Sequence, residues 1–458
     1  MAAKKPVDMT KGPIVRPLIF FILPLIGGSV FQQLYNTVDF IFVGNYLNST
    51  AAAAVGASST LINCTIGLFT GISVGTSVVA ANAIGAKRPD EARKTLHTSV
   101  TFGLIGGLIM MTLGIVFAPA ILQALNTPST VMPQAITYMR IYLISLPMLV
   151  FYNMLSGSLR AEGDSSTPFK VLVICGLLNV LFDFLFIVVI PLGVAGVAIA
   201  STVTQALSAL FVGFFTSRKN REIRFSFKEL RIDTNILRKI LKTGLPTGIQ
   251  TIVITISNVF VQYFINGYGE TPVAAFAVYY KVENLIFLTI LAFGQASVTF
   301  AGQNMGAGNY KRLQKGTVIA AGIGMVIVTA TVILILSFPT VVFRWFIKDQ
   351  EVMMTAISLA MVSFPFYWIY PLIEVFGGAI RAMGYSLRSM VIVIANFCVL
   401  RLILLTIFST SGQSVRMLAA AYPITWATSA ICFVSTFFVL IKRYRSAAET
   451  TAQTLKQL

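Results

Sequence analysis

Apolar residues run along the chain in long stretches, and polar or charged residues gather in short breaks between them. Several stretches reach the roughly 20 residues that a helix needs to cross a bilayer. The breaks predict twelve helical spans, near 14–44, 52–83, 95–120, 132–158, 168–190, 194–217, 235–266, 273–302, 316–341, 353–380, 388–409 and 415–441. The pattern is that of an all-α polytopic membrane protein with twelve transmembrane helices. The first, seventh and eighth spans exceed what a bilayer requires, so they should tilt, kink or protrude. Pro24 and Pro246 supply kinks in the first and seventh, because each lacks an N–H and clashes with the preceding turn.

Composition narrows the class. Of 458 residues, 56% are hydrophobic and 11% charged, against roughly 25% charged in soluble domains. An ordinary globular enzyme, a disordered chain and a disulfide-rich secreted domain are all excluded. The net charge of +18 does not imply a nucleic-acid partner, because its basic residues sit in alternate breaks, as topogenic charge does. Lys87, Arg88, Arg93 and Lys94 follow the second span, and Arg218, Lys219, Arg221, Arg224, Lys228 and Arg231 the sixth. Lys311, Arg312 and Lys315 follow the eighth, and Lys442, Arg443 and Arg445 the twelfth. The turns 45–51, 121–131 and 190–193 carry no basic residue. Both termini are therefore expected on the cytoplasmic face of a cell membrane. Lys4, Lys5, Lys11 and Arg16 precede a first run without a small-residue cleavage site, so that span is expected to be retained. Cys64, Cys175, Cys398 and Cys432 all fall in spans, as small apolar packers. His97, the only histidine, is expected to be solvated at an interface.

The chain repeats itself. Ile14, Arg16, Leu23 and Pro24 recur 222 positions on as Ile236, Arg238, Leu245 and Pro246. Gly157-x-x-Arg160-Ala161-x-Gly163 recurs 221 positions on as Gly378-x-x-Arg381-Ala382-x-Gly384. Six spans per copy is an even number, so both copies insert with the same sense. The expected organisation is an amino-terminal six-helix lobe (1–217), a basic connector (218–234), a carboxy-terminal six-helix lobe (235–445) and a tail (446–458). The lobes would be related by a pseudo-twofold axis along the membrane normal, with a cavity between them that suits alternating access. His-Glu-x-x-His does not occur, and the one Gly-x-Ser-x-Gly match, Gly71 to Gly75, lies inside an apolar span with no histidine near it in sequence, so an intramembrane enzyme is not indicated.

Ionisable residues inside spans are costly and point to function. In the first copy these are Asp39 and Asp183. Asn179 precedes Asp183 by four residues, and Tyr35 and Asn36 precede Asp39 by four and three, so each set shares a helix face. Two carboxylates and an amide oxygen can hold a dehydrated sodium ion or share a proton. At the matching positions of the second copy stand Val261 or Gln262, Leu400 and Leu404, so the scaffold itself does not demand acids there. The second copy instead carries Lys281, Glu283, Glu374 and Arg401, which either neutralise one another or act in transport. Tyr367 and Tyr370 share a face with Glu374, an arrangement suited to a lipophilic cation.

The stretch Gln33-Leu34-Tyr35-Asn36-Thr37-Val38-Asp39 with Val43-Gly44 resembles the first-span motif of the multidrug and toxin extrusion (MATE) family. Ile84-Gly85-Ala86, Arg160-Ala161-x-Gly163-Asp164 through Pro168, and Gly193-x-x-Gly196-x-Ala198-x-Ala200-Ser201 are similar to later motifs of that family. The resemblance covers essentially the whole chain. It implies twelve helices in two lobes and export of organic cations and other drugs or toxins in exchange for sodium or protons. By motif it assigns the cation site to Asp39, Asn179, Asp183 and Ser201, where the family usually has threonine and Thr202 stands adjacent. It makes Pro24 a hinge, Asn153 a cavity residue and Glu374 an acidic tenth-span position. No cofactor, nucleic-acid partner or oligomeric partner is expected; the coupling ion is H+ or Na+. The competing readings are a lipid or oligosaccharide flippase of the same superfamily and a non-transporting membrane scaffold.

Overall fold

The computed structural model describes residues 7–218, 223–410 and 414–457. Lys4, Lys5, Lys219 and Arg221 lie outside the described residues, as does the side chain of Asn36. The described helices long and apolar enough to cross a membrane number eleven, or twelve when one bent pair counts as a single span. We label them α1 (Val15–Tyr46), α2 (Ser49–Gly85), α3 (Pro89–Ala124), α4 (Met132–Ile144 with Leu146–Ala161), α5 (Ser166–Val189) and α6 (Val194–Thr216). Then follow α7 (Thr234–Asn266), α8 (Glu270–Gly306), α9 (Tyr310–Ser337), α10 (Gln350–Ala382), α11 (Ser386–Thr410) and α12 (Val415–Gln457).

Local chemistry sets several boundaries. Asn48 accepts the Ala51 N–H at the start of α2, Asp349 accepts the Val352 N–H at the start of α10, and Pro89 opens α3. The two parts of α4 meet at a bend of 43°. Pro147 follows that break, and its missing N–H leaves the Leu143 carbonyl without the usual partner. By contrast α1 and α7 run on through Pro24 and Pro246 as continuous helices.

The helices form two compact units. One comprises Leu23–Gly248 with Val7; the other comprises Asp8–Ile22 and Ile249–Leu458. The division thus falls inside α1 and inside α7, each time within two residues of that helix's proline.

Inside the first unit, α2 and the first half of α7 meet through two facing small-residue motifs, Gly71-x-x-x-Gly75 and Gly244-x-x-x-Gly248. A Cβ on Gly71 would stand 2.2 Å from the Gly248 nitrogen, and one on Gly75 would stand 2.5 Å from the Ile240 carbonyl oxygen. Lipid tails are as apolar as leucine, so such backbone approach supplies the packing that side-chain burial cannot. Contacts between α2 and α4 recur between α8 and α10. A Cβ on Gly157 would meet Ser73 Oγ at 2.7 Å, and one on Gly378, 221 positions later, would meet the Gly294 carbonyl oxygen at 2.7 Å.

The connector packs as a strap on the first unit. Ile223 donates its N–H to Glu162 Oε1 at 2.7 Å, and Asp233 donates to Thr98 Oγ1 at 3.1 Å. His97 is at the centre of this contact, which corrects the expectation that it is solvated: it is 2% exposed. Its Nδ1–H donates to the Arg93 carbonyl at 2.8 Å, its Nε2 accepts the Ser226 N–H at 3.1 Å, and Phe225 stacks on its ring. Arg93 also pairs with Glu229 on the strap.

Two outcomes are expected. Gly71→Leu places four carbons where the Gly248 backbone stands, so monodisperse folded protein should be lost in detergent chromatography. The hydrogen bond from Arg93 holds the Glu229 carboxyl below the usual glutamate range. A depressed folded-state pKa contributes stability that is present above the unfolded value and lost as pH falls through the folded one. Amide-exchange protection of 223–233 should therefore weaken below the ordinary glutamate range, and Arg93→Gln should flatten that dependence.

Candidate functional site

In the first unit, α1 and α5 pack in the same sense. Gly27 and Gly28 lie against Phe169, and Gly176 lies against Phe31 and Tyr35, with Tyr35 Cδ1 3.0 Å from where a Gly176 Cβ would be. This register carries Asp39, one turn past Tyr35, to the level of Asp183. The two carboxyl groups come within hydrogen-bonding reach of each other. Asp183 is fully buried and Asn179 is 2% exposed. Asp39 Oδ1, both carboxyl oxygens of Asp183 and Asn179 Oδ1 are buried with no donor among the described residues.

On α6, Ser208 is in hydrogen-bond contact with Cys175 of α5. Since these neighbours are antiparallel, Asn179 is level with Thr204, and Asp183 with Ala200 and Ser201. Thr204 Oγ1 is buried and has no partner among the described residues. Thr202, by contrast, donates its hydroxyl to the Ala198 carbonyl at 2.8 Å and reaches the Ile141 carbonyl at 3.1 Å. Tyr138 and Tyr142 of α4, stacked at 5.9 Å, lie near Asp39. Asn153 stands apart from this cluster in the hydrogen bonds it makes: it is part-buried and donates its side chain to the Leu149 carbonyl at 3.0 Å.

The second unit builds a different polar core. The Tyr367 hydroxyl donates to Glu283 Oε1. Tyr279 shares a hydrogen bond with Ser363 at 2.8 Å, and Tyr280 with Tyr422 at 2.7 Å. Arg401, 3% exposed, donates to Thr425 Oγ1 at 3.3 Å and lies 4.7 Å from the ring centres of both Phe397 and Tyr422. A 3-10 stretch, Phe364–Ile369, turns Tyr367 and Tyr370 onto one face, stacked at 6.2 Å. Both pack on Trp426, at 4.5 and 5.5 Å. Glu374 faces Arg381 at 3.7 Å, seated over Gly294, where a Cβ would meet its Oε2 at 2.8 Å. Lys281 is exposed and enters no described ion pair.

The MatE family model matches the chain twice, over residues 24–185 and 246–407, at an offset of 222. The chain belongs to the MatE family. This MATE transporter is 30% identical over 414 residues to a probable multidrug resistance protein, YpnP, of Bacillus subtilis, covering 88% of this chain and 91% of that one. It is 24% identical over 458 residues to the FAD transporter of Shewanella oneidensis, covering 98% of this chain and 99% of that one. Its fold is similar to an outward-facing multidrug resistance MATE transporter of the MOP superfamily, with a TM-score of 0.92 at 24% identity, covering 97% of this chain and 100% of that one. The family consists of membrane transporters and not enzymes, and two lobes of membrane helices are its architecture.

In this MATE transporter, then, α1 and α5 bring Asp39, Asp183 and Asn179 together, and Ser201 and Thr204 lie at the same levels on α6. Two π-helical stretches adjoin the buried charges: Phe184–Val189 begins after Asp183, and Ile394–Leu400 ends before Arg401. Wide turns of this kind recur at functional sites. Tyr138, Tyr142 and Thr204 lay outside the sequence expectations because a lone polar residue in an apolar span carries no mark of its neighbours. Arg381 was legible as half of a repeated motif, though its pairing with Glu374 was not.

Tyr367 is the described donor to Glu283, so Tyr367→Phe should leave a buried carboxyl short of a partner. That costs about 1–3 kcal/mol and should lower the melting midpoint in detergent, whereas Lys281→Gln at its exposed position should leave the midpoint unchanged.

Proposed function

We propose that this MATE transporter is a cation-coupled antiporter that exports lipophilic, often cationic, organic compounds by alternating access. Inward flow of H+ or Na+ drives the export. One observation carries the coupling: Asp39 and Asp183 present buried carboxyl oxygens to each other with no described donor between them. Facing carboxylates in a medium of low dielectric repel, and buried polar groups without partners are costly. A proton or a sodium ion placed between them removes both penalties. The Asn179 carbonyl oxygen completes a set of hard oxygen ligands with the hydroxyls of Ser201 and Thr204.

The division of α1 next to Pro24 supports that proline as the hinge that responds to occupancy of the acid pair. Tyr35, whose ring lies on the face below Asp39, and Asn153 are assigned to the substrate side. The basic breaks at 87–94, 311–315 and 442–445 support a cytoplasmic position for both termini. A membrane potential of 100 mV supplies about 2.3 kcal/mol per inward charge, or roughly fiftyfold in concentration ratio, before any ion gradient is added.

The test is ethidium efflux from proteoliposomes under separately imposed sodium and pH gradients. Transport driven by sodium alone would make the cluster an ion cage; transport driven by pH alone would make it a proton-sharing pair. Asp39→Asn should lower coupled efflux at least tenfold while leaving the melting midpoint near that of the parent. Parental rates in that variant, or folded parent protein responding to neither gradient, would overturn the proposal.

A further inference from the structure

Within the second unit, the start of α9 and the far end of α12 enclose a cleft of about 390 Å³ lined by Lys311, Gln314, Lys315, Val318, Ile319 and Arg445. Three cations converge on it, and none has an acidic partner among the described residues. Their neighbour Arg312 is otherwise engaged: its guanidinium donates to the carbonyls of Met9, Lys11 and Gly12 at 2.7–3.0 Å. Arg445 is held in place rather than loose. Its Nη1 donates to Gln314 Oε1 at 3.1 Å, and Tyr444 beside it stacks on Tyr310 at 5.5 Å. Its Nε is buried and has no partner among the described residues. A guanidinium held on one edge by Gln314 and lining the cleft can meet a phosphate group, and two lysines supply point charge around it.

The cleft has a second character that a free anion would not use. Its apolar side continues along α9. Ile319, Val326 and Ile333 follow at seven-residue spacing on one face, and Val326 and Ile333 are 70% and 59% exposed. Gly322 lies one turn past Ile319, and nothing stands within 4 Å of where its Cβ would be. The three cations thus sit at the head of an open apolar groove on a lipid-length helix. Basic pockets between membrane helices on the positively charged side bind anionic lipid head groups in this manner.

We propose that this cleft binds an anionic phospholipid, with its phosphate between Lys311, Lys315 and Arg445 and an acyl chain lying along Ile319, Gly322 and Val326. The lipid would hold the end of α12 against α9, two helices of the same unit. This site is distinct from the Asp39–Asp183 cluster, which belongs to the other unit.

Native mass spectrometry of the full chain in detergent tests it, with phosphatidylglycerol titrated against phosphatidylcholine. The parent should retain phosphatidylglycerol in preference to phosphatidylcholine. Each cation contributes roughly fivefold to anionic-lipid affinity, so Lys315→Gln with Arg445→Gln should weaken phosphatidylglycerol binding roughly 25-fold. Lys94→Gln with Lys170→Gln, which removes two exposed cations elsewhere, should leave it unchanged. Gly322→Phe fills the groove without touching a charge and should weaken the lipid while sparing competition by inorganic phosphate. Equal binding of the two lipids, or undiminished phosphatidylglycerol binding in the Lys315/Arg445 variant, would overturn the site. Full displacement of phosphatidylglycerol by inorganic phosphate, with Gly322→Phe binding the lipid as the parent does, would make it a free-anion site and overturn the lipid assignment.

Discussion

The hydrocarbon core of a bilayer offers no water, so every polar group placed there must find its partner inside the protein. The helices answer this for the backbone, and their hydroxyls answer it locally. Thr76 donates to the Ile72 carbonyl, Thr202 to Ala198 and Thr317 to Leu313, each one turn back along its own helix. Helices that gain nothing from burying leucine against lipid instead approach through glycine and serine, as α2 and α7 do at Gly71 and Gly248. Asp39, Asp183 and Asn179 are different: their buried side-chain oxygens have no donor among the described residues, and they lie together on α1 and α5.

The two units show how one scaffold can carry two chemistries. The family model matches both copies, and the close contact at Gly157 has its counterpart at Gly378. Yet where the first copy places Asn179 and Asp183, the second places Leu400 and Leu404. The second unit keeps its own acids compensated: Glu283 by Tyr367, and Glu374 by Arg381. A buried ion pair or a hydrogen-bonded carboxyl is costly to break, since it leaves an uncompensated charge behind. The two units thus differ in how their buried acids are compensated: those of the first lack a described donor, and those of the second have one.

His97 shows the opposite case, a titratable residue absorbed by packing. Read as an isolated polar position near a basic break, it is expected in water. The strap formed by 223–233 covers it, and the backbone N–H of Ser226 and the ring of Phe225 take up its polar and apolar surfaces. Ser226 and Phe225 are more than a hundred positions away in the chain, beyond the reach of any local pattern.

Apolar run length, turn residues and the repeat determined the twelve spans, their helical state, the duplication and the membrane setting, because each depends on hydrophobicity and on chemistry within a few residues. The clustering of Asp39 with Asp183 was foreshadowed by their helix faces and by their absence from the second copy. Tertiary structure alone decided which small-residue motif faces which, that Glu374 meets Arg381, that Thr204 is level with Asn179, and that Arg445 lines a cleft with the start of α9. Apart from the Glu374–Arg381 pair, which spans two turns of α10 and depends on the rotamers its neighbours allow, those are placements between helices. They are set by rotation and register between packed cylinders, for which an apolar stretch of leucine, valine and phenylalanine encodes many nearly equivalent solutions.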